Sequence, residues 1–308
     1  MAPLQGYTDA VFRFAHEKFF GGVDKYFTPF FRVENSEIRR REIRDLEFAK
    51  KLGDDFSNLI PQIIVSEKSE LDILVKFLSD FGFKNIDLNF GCPYPVLNRK
   101  FKGAGILPYP EKFSEIVNSL TKYSDVKFSI KMRLGLSSSK ECLKLIEIIN
   151  QFPFDFVTIH PRTAQQQYSG EVDENAFFEF ASQLKTRVIF NGNLTNLNEI
   201  ESCIQKFPFV YALMIGRGIL ADPFLAKKYK SVENFEENQK EVLLKFHNCL
   251  IDNYLRFSEG GDKQVLEKMK TLWDYFLPNS DHKTCKNISK SRTLQEYIGF
   301  VNILINKL

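Results

Sequence analysis

Residues 69–93 read SELDILVKFLSDFGFKNIDLNFGCP, and this stretch contains a helix pattern followed by a strand pattern. Its first half repeats apolar residues at the spacing that places them on one face of a helix. Those residues are Leu71, Leu74, Val75 and Leu78. Its second half, 85–90, is a short β-rich run followed by polar residues. Helices and strands in alternation are the repeating unit of a parallel α/β sheet.

Similar β-rich runs recur through the first two thirds of the chain, with starts about 25 to 40 residues apart. They are 25–31, 59–65, 85–90, 127–132, 156–160, 187–190 and 212–215. With the extreme N-terminal residues 2–4 they make eight strands, the number that closes a TIM (β/α)8 barrel. A doubly wound open sheet is the alternative, but the glycine-rich dinucleotide fingerprint after a first strand is missing. We therefore predict an α/β fold of the TIM barrel class.

The strand pattern stops near residue 234, and helical patterns follow over 235–257, 263–276 and 293–308. We predict two domains, a barrel over 1–234 and a small all-helical domain over 235–308. A chain of 308 residues is longer than one ordinary core requires, which agrees with a large barrel plus a small appendage.

The composition is that of a globular protein, with 44% hydrophobic and 26% charged residues and a formal net charge of +3. These values exclude a disordered chain, a collagen-like repeat and a disulfide-rich miniprotein. The five cysteines lie far apart without a CxxC pair, so we expect no disulfide framework, no metal site and a reduced, cytoplasmic setting. We expect no membrane association, because no run approaches the roughly 18 apolar residues of a spanning helix.

Polar residues follow most of the predicted strands, and in a TIM barrel the C-terminal ends of the strands carry the chemistry. The set is Gln62, Asn89, Cys92, Lys131, Arg133, His160, Arg162, Asn191, Gly192, Asn193, Gly216 and Arg217. Lys131 requires an anionic partner if it is buried at a strand end. Gly216 and Arg217 follow the last strand, where barrels commonly bind phosphate. Taken singly, Gln62 and His160 could equally be hydrogen-bonded interior residues.

Cys92 is a candidate for the reaction itself. It follows a predicted strand, precedes Pro93, and is close in sequence to Gly103 and Gly105, a composition typical of a shaped loop. A cysteine can act as a nucleophile or as a proton donor. The sequence holds no clear Cys/His/Asn triad pattern, so the donor role is at least as plausible, and an inert thiol is the remaining alternative.

These residues belong to motifs that resemble those of the tRNA-dihydrouridine synthase family. In order, the motifs are APLQGYTD, PQI, DLNFGCPYPVLNRKFKGAGIL, IKMRLG, IHPRTAQQQYSG, FNGN and LMIGRGILADPFL. NxGCP with the glycine-rich loop and HxRTxxxxYxG are the most specific of them. They run from the N-terminus to about residue 225, so the resemblance covers the whole predicted barrel.

The resemblance implies an FMN-dependent enzyme that NADPH, or NADH, reduces. The reduced flavin then gives a hydride to C6 of a tRNA uridine while Cys92 gives a proton to C5, which forms 5,6-dihydrouridine. The implied FMN-binding residues are Ala2, Pro3, Leu4, Gln62, Lys131, His160, Asn191, Gly192, Asn193, Gly216 and Arg217. Asn89, Arg133 and Arg162 are assigned to the uridine. Because the target atoms are hidden in a stacked base, the uridine must be extruded into the site.

Local clusters of basic residues fit an RNA partner better than the small net charge does. The clusters are Arg39–Arg41 with Arg44, Arg99 and Lys100 with Lys102, Lys227 and Lys228 with Lys230, and Lys283, Lys286, Lys290 and Arg292. We assign tRNA binding to Lys286 and Lys290, with solvated helix faces as the alternative for any one cluster. We expect a monomer.

Two positions depart from the family pattern. Thr28-Pro29 stands where the family usually has Thr-Glu, which puts a substrate contact from that acid in doubt. Asn193 stands where an Asp is usual, a milder change because asparagine keeps a hydrogen-bonding side chain.

Two other functions are alternatives to tRNA reduction. One is an FMN-dependent dehydrogenase or reductase of a small pyrimidine such as dihydroorotate, and the helical segment 235–308 argues against it. The other is an inactive RNA-binding barrel, and the presence of Cys92, Lys131 and His160 argues against it.

Overall fold

The computed structural model describes residues 1–231 and 238–308. Its strands are β1 (Tyr26–Phe27), β2 (Val33–Glu34), β3 (Glu37–Ile38), β4 (Leu59–Ile60), β5 (Gln62–Ile63), β6 (Asn85–Phe90), β7 (Lys127–Gly135), β8 (Phe156–Thr163), β9 (Arg187–Phe190) and β10 (Ala212–Leu213).

Its helices in the first 231 residues are α1 (Ala10–Phe19), α2 (Arg40–Lys51), α3 (Lys68–Asp80), α4 (Pro95–Asn98), α5 (Pro110–Ser119), α6 (Ile146–Gln151), α7 (Glu174–Ala181), α8 (Leu197–Lys206), α9 (Arg217–Ala221) and α10 (Leu225–Lys230). Short 3-10 turns cover Gly103–Ile106, Leu120–Lys122 and Cys142–Leu145. The C-terminal helices are α11 (Gln239–Phe257), α12 (Gly261–Leu272), α13 (His282–Lys290) and α14 (Leu294–Lys307).

Strands β1 and β4 to β10 form a parallel barrel, as predicted, whereas β2 and β3 pair antiparallel with each other. Six of them make one sheet in the order β10-β9-β8-β7-β6-β5, and β1 pairs in parallel with β4. The N-terminal residues close the ring. The Met1 amine donates a hydrogen bond to the Lys25 carbonyl (2.6 Å). On the other side, the Ala2 N–H donates to the Ile215 carbonyl (2.8 Å).

Prolines account for two of the differences between predicted and observed strands, while the strands predicted at 127–132 and 156–160 extend to Gly135 and Thr163, and the one predicted at 212–215 ends at Leu213. Residues 85–90 and 187–190 have the predicted bounds. The predicted strand 59–65 is divided into β4 and β5 at Pro61, because proline has no N–H to donate to a neighbouring strand. The predicted strand 25–31 is regular only over its first part, before Pro29. Residues 2–4 form the single link described above rather than a regular strand.

The barrel interior contains both apolar and polar side chains. Its apolar cluster consists of Ala2, Phe27, Ile60, Phe156, Ile189 and Met214. The strands also bury the polar side chains Gln62, Asp87, Ser129 and Thr158. In barrels of this class, ligands bind at the C-terminal ends of the strands.

The C-terminal helices pack against α1 through aromatic side chains. The Phe246 ring of α11 lies 5.8 Å from Phe12 and 4.9 Å from Phe20. The hydrophobic core therefore continues from the barrel helices into the C-terminal helices. The predicted domain boundary at 234/235 lies in residues 232–237, outside the described residues. Within the described ranges, no helix has both the length and the hydropathy needed to span a membrane.

Candidate active site

An open cavity lies at the C-terminal ends of the strands. All of the residues predicted to bind FMN line it, namely Ala2, Pro3, Leu4, Gln62, Lys131, His160, Asn191, Gly192, Asn193, Gly216 and Arg217. Cys92, Asn89 and Arg133 line the same cavity. The fold therefore brings together residues that are up to about 215 positions apart in sequence.

The other predicted substrate residues lie outside this lining. Arg162 is buried behind His160, and its guanidinium donates to the carbonyls of Ser169 and Gly170. Lys286 and Lys290 are exposed on α13. A direct contact of these three side chains with tRNA remains a prediction.

The floor of the cavity is a connected set of buried hydrogen bonds. Gln62 Nε2 donates to Asp87 Oδ2 (2.7 Å), and Asn89 Nδ2 donates to Gln62 Oε1 (2.7 Å). The backbone N–H of Gln62 donates to Thr28 Oγ1 (3.0 Å). Thr28 thus anchors the strand that presents Gln62. In the Thr28-Pro29 pair, where position 29 departs from the family pattern, the threonine therefore has a structural role.

Lys131 is the cation on this floor. Burial, then the nearby Arg133 charge, lower its pKa from 10.5 to about 8, and Asp87 and Cys92 oppose this shift. Among the described residues, no acceptor lies within hydrogen-bonding distance of the Lys131 ammonium. The group is therefore available to an anionic ligand in the cavity.

His160 is held in its neutral form. Arg162 Nη1 lies 3.1 Å from His160 Nε2. A guanidinium has only donors, so Nε2 accepts and the ring proton is on Nδ1. Burial, together with the charges of Lys131, Arg133, Arg162 and Arg217, lowers the pKa of His160 well below 6.5. His160 can therefore act as a neutral hydrogen-bond donor.

Tyr168 forms part of the cavity mouth, and it was not among the residues selected singly from the sequence. Its ring, 47% exposed, lies 5.4 Å from the guanidinium carbon of Arg133 and 4.9 Å from that of Arg217. Such cation–π contacts keep both cations beside the opening. The tyrosine of HxRTxxxxYxG was the available sequence signal. Phe30 also lines the cavity, and no sequence pattern distinguished it from core phenylalanines.

Cys92 is placed by a tightly packed loop. Asn89 Oδ1 accepts from the backbone N–H groups of Gly91 (3.0 Å) and Cys92 (2.8 Å). A Cβ on Gly103, where φ is +60°, would lie only 2.8 Å from the Cys92 Cβ, so glycine is required there. Burial raises the pKa of the Cys92 thiol. At neutral pH the side chain is therefore a protonated thiol rather than a thiolate.

The family model described as dihydrouridine synthase matches residues 1–299. The chain belongs to the dihydrouridine synthase family. The match includes the cavity and most of the C-terminal helices.

Curated relatives carry names of the same family. The chain is 28% identical over 244 residues to tRNA-dihydrouridine synthase B of Pasteurella multocida, covering 79% of this chain and 71% of that protein. It is 26% identical over 294 residues to a probable tRNA-dihydrouridine synthase of Rickettsia bellii, covering 91% and 86%. It is 27% identical over 286 residues to tRNA-dihydrouridine(16) synthase of Cupriavidus necator, covering 89% and 88%.

Asn193, one of the two expected departures from the family pattern, contacts two guanidinium groups. Its Oδ1 accepts from Arg162 Nη2 (3.2 Å) and from Arg217 Nη2 (3.5 Å). The acceptor is kept while a negative charge is lost. The cavity of this family member is therefore more positive by one charge than it would be with aspartate.

In three of the basic clusters of this family member, some of the cations pair with acids. Lys102 pairs with Glu70, Lys228 with Asp222, and Lys230 with Asp24. Arg39, Arg40 and Arg44 also pair with glutamates. In contrast, no acid in the described ranges pairs with the side chains of the α13 region. Those cations are Lys283, Lys286, Lys290 and Arg292.

Proposed function

We propose that this dihydrouridine synthase reduces a uridine of tRNA to 5,6-dihydrouridine, with FMN as cofactor and NADPH, or NADH, as reductant. One observation carries the proposal. A single cavity at the strand ends contains Cys92 together with every residue that the family motifs assign to the cofactor. The chain matches the family model over residues 1–299.

The cavity fits the two chemical parts of FMN. Its cationic lining residues are Lys131, Arg133 and Arg217, and no aspartate or glutamate is present in the described lining. This excess of positive charge favours a phosphate. Leu4, Met214 and Ile215 provide apolar surface for a flat ring.

FMN, when bound, would supply the hydride that reduces the uracil ring. Gln62 and Lys131 on the floor would contact the ring system, and Asn193 and Arg217 the phosphate. The Lys131 ammonium, which has no acceptor among the described residues, would stabilise negative charge on a reduced ring. His160 would offer its Nδ1–H as a neutral donor.

Cys92 is the proposed proton donor to C5. A proton donor must carry its proton at the working pH, and burial raises the pKa of this thiol. A nucleophilic cysteine requires the opposite shift, toward the thiolate. The environment of Cys92 thus favours the donor role over the nucleophilic one.

The cations of α13 support tRNA as the substrate rather than a free pyrimidine. Exposed lysines without acidic partners in the described ranges can neutralise phosphates, and a small pyrimidine has no phosphate chain for them to contact. We propose that the enzyme works as a monomer in the cytoplasm, where its five free cysteines stay reduced.

The decisive experiment replaces Cys92 by alanine. We expect C92A to retain bound flavin, seen by absorbance, and to retain NADPH oxidation. The rate of dihydrouridine formation, measured by mass spectrometry of tRNA, should fall roughly 100-fold or more. The matched control is C249A, which removes a partly buried cysteine of α11 and should leave both rates unchanged.

Two results would contradict the proposal. Loss of flavin from C92A would assign the cysteine a structural role instead. Unchanged dihydrouridine formation by C92A would mean that another group donates the proton.

A further inference from the structure

One buried carboxylate on the cavity floor has no role in the proposed reaction. Asp87 lies on β6 between Gln62 of β5 and Ser129 of β7, with the three residues in register. It is completely buried. A buried carboxylate is costly unless hydrogen bonds satisfy it, so both of its oxygens need donors from the neighbouring strands.

Asp87 begins a chain of hydrogen bonds whose direction is fixed. Its Oδ1 accepts from Ser129 Oγ (2.6 Å) and its Oδ2 from Gln62 Nε2 (2.7 Å). An ionised carboxylate can only accept, so the Gln62 amide must turn its nitrogen toward Asp87. The Gln62 oxygen then faces Asn89, whose Nδ2 donates to it (2.7 Å).

The other end of the chain requires the same direction. Asn89 Oδ1 accepts from the backbone N–H groups of Gly91 and Cys92, and backbone N–H groups can only donate. With the Asp87 carboxylate accepting at one end and backbone N–H groups donating at the other, the side-chain amides of Gln62 and Asn89 can each adopt only one orientation. Each amide nitrogen has two hydrogens and uses one within the chain. Gln62 and Asn89 therefore each keep one N–H for a ligand carbonyl in the cavity.

We propose that Asp87 is a positioning residue that supplies the acceptor end of the chain Asp87–Gln62–Asn89 and, together with the backbone N–H groups of Gly91 and Cys92 at the other end, holds the turn that carries Cys92. This inference rests on the proposed role of Cys92. Its test uses neither tRNA nor a nicotinamide cofactor, so its failure is distinguishable from failure of the proposed function.

The test reverses the chain with two nearly isosteric substitutions. In N89D, two carboxylates face the one amide of Gln62, and whichever way that amide turns, one carboxylate meets its oxygen. In D87N, the new amide can accept from Gln62 and donate to Ser129, so the direction is kept. In the double variant D87N/N89D, Gln62 can turn over, so that it donates to the carboxylate at position 89 and accepts from the amide at position 87. The conflict is then removed.

The measurement is the iodoacetamide alkylation rate of Cys92 in the flavin-loaded protein, followed by peptide mass spectrometry, together with the thermal unfolding midpoint. Cys249 on α11 serves as the internal reference in every sample. We expect N89D to alkylate at Cys92 roughly tenfold faster, as loss of one charge-assisted hydrogen bond would allow, and to unfold at lower temperature. D87N should stay close to the wild-type protein, and the double variant should recover most of the loss.

Additive effects, with the double variant as fast as N89D or faster, would overturn the proposal, because a chain without direction gives no rescue. If N89D fails to fold, the double variant should still yield soluble, flavin-loaded protein. The proposal would also be overturned if the double variant D87N/N89D were insoluble while D87N alone was soluble.

Discussion

At the scale of single residues, burial and neighbouring charges set the protonation state of each titratable group in the cavity. Burial keeps the Cys92 thiol protonated, and burial with four neighbouring cations keeps His160 neutral. Burial raises the pKa of Asp87 to about 6, and lowers that of Lys131 to about 8, so near neutral pH both are still ionised. A proton donor, a neutral hydrogen-bond donor and a cation thus coexist within one cavity.

The first prediction concerns the pH dependence of uridine reduction by enzyme that has been reduced beforehand. A protonated thiol loses its donor function only as the pH rises through its pKa. Because the pKa of Cys92 is raised, ionisation of this thiol should lower the rate only above about 8.5, where an ordinary cysteine ionises. The Lys131 ammonium, with a pKa of about 8, loses its proton first, so the wild-type rate is compared with that of K131M, in which this step is absent. Single-turnover rates of both proteins across this pH range test the prediction. A decline of the K131M rate that begins below about 8.5 would contradict the thiol donor.

The sequence identified which residues meet in the cavity but not how they are connected. Motif spacing was sufficient to select Gln62, Asn89 and Cys92. The direction of the hydrogen bonds among them depends on Asp87, which a sequence pattern does not distinguish from any other polar residue of a strand. Tyr168 was missed for a similar reason, because its cation–π contacts join residues of three separate loops and strands.

At the scale of elements, α13 differs from the other basic segments of the chain. Sequence patterns marked four clusters, and the fold pairs three of them, at least in part, with acids from elsewhere, such as Lys230 with Asp24 and Arg44 with Glu259. Pairing across such distances in sequence is set by the tertiary structure, so the sequence could not reveal it. The α13 region keeps its cations unpaired within the described residues.

The second prediction tests that region with K286E and K290E. Each change replaces a cation that would contact a phosphate with an anion, so tRNA affinity should fall at moderate salt. The dependence of log K on log salt should lose roughly 0.9 in slope per phosphate contact. NADPH oxidation should stay unchanged. Filter binding across a salt series and a nicotinamide assay measure the two quantities.

A matched control for these variants is K76E on α3, where the lysine is 77% exposed and paired with Asp80. It makes the same change of charge at another surface and should not affect tRNA binding. The assignment of tRNA binding to α13 would be wrong if K76E lost as much tRNA affinity as K286E and K290E. It would also be wrong if K286E and K290E lost NADPH oxidation to the same extent as tRNA binding.

At the scale of the whole molecule, a polar joint connects the barrel to the C-terminal helices. The Asp9 carboxylate caps α1 and accepts from Tyr254 (2.8 Å), and it pairs with Lys268 (2.7 Å). Lys268 also donates to the Gly6 carbonyl (2.6 Å). The sequence predicted a barrel followed by helices, but it contained no indication of this joint, because its members lie more than 240 positions apart.

The third prediction concerns the substitution K268M. Burial tends to raise the pKa of Asp9, and Lys268 is the main opposing cause, so the pKa is lowered in the wild-type protein and should rise in K268M. The free energy of unfolding should fall by about 2 kcal/mol at neutral pH. Since a lowered carboxyl pKa contributes stability above its ordinary value of 3.8, the difference from wild type should shrink as the pH falls through that value.

Urea unfolding at neutral and acid pH measures this difference. The control is K245M, whose lysine pairs with Glu241 on the exposed surface of α11, and we expect it to unfold as the wild-type protein does. A destabilisation by K268M that stays constant with pH would show that lost packing, rather than the charge on Asp9, is responsible.

The segment 2–9 belongs to both halves of the molecule. Its first residues line the cavity, while Gly6 and Asp9 are held by Lys268 of α12. Lys268 thus holds in place the stretch of chain that supplies one wall of the cavity, although Lys268 itself lies in the C-terminal helices.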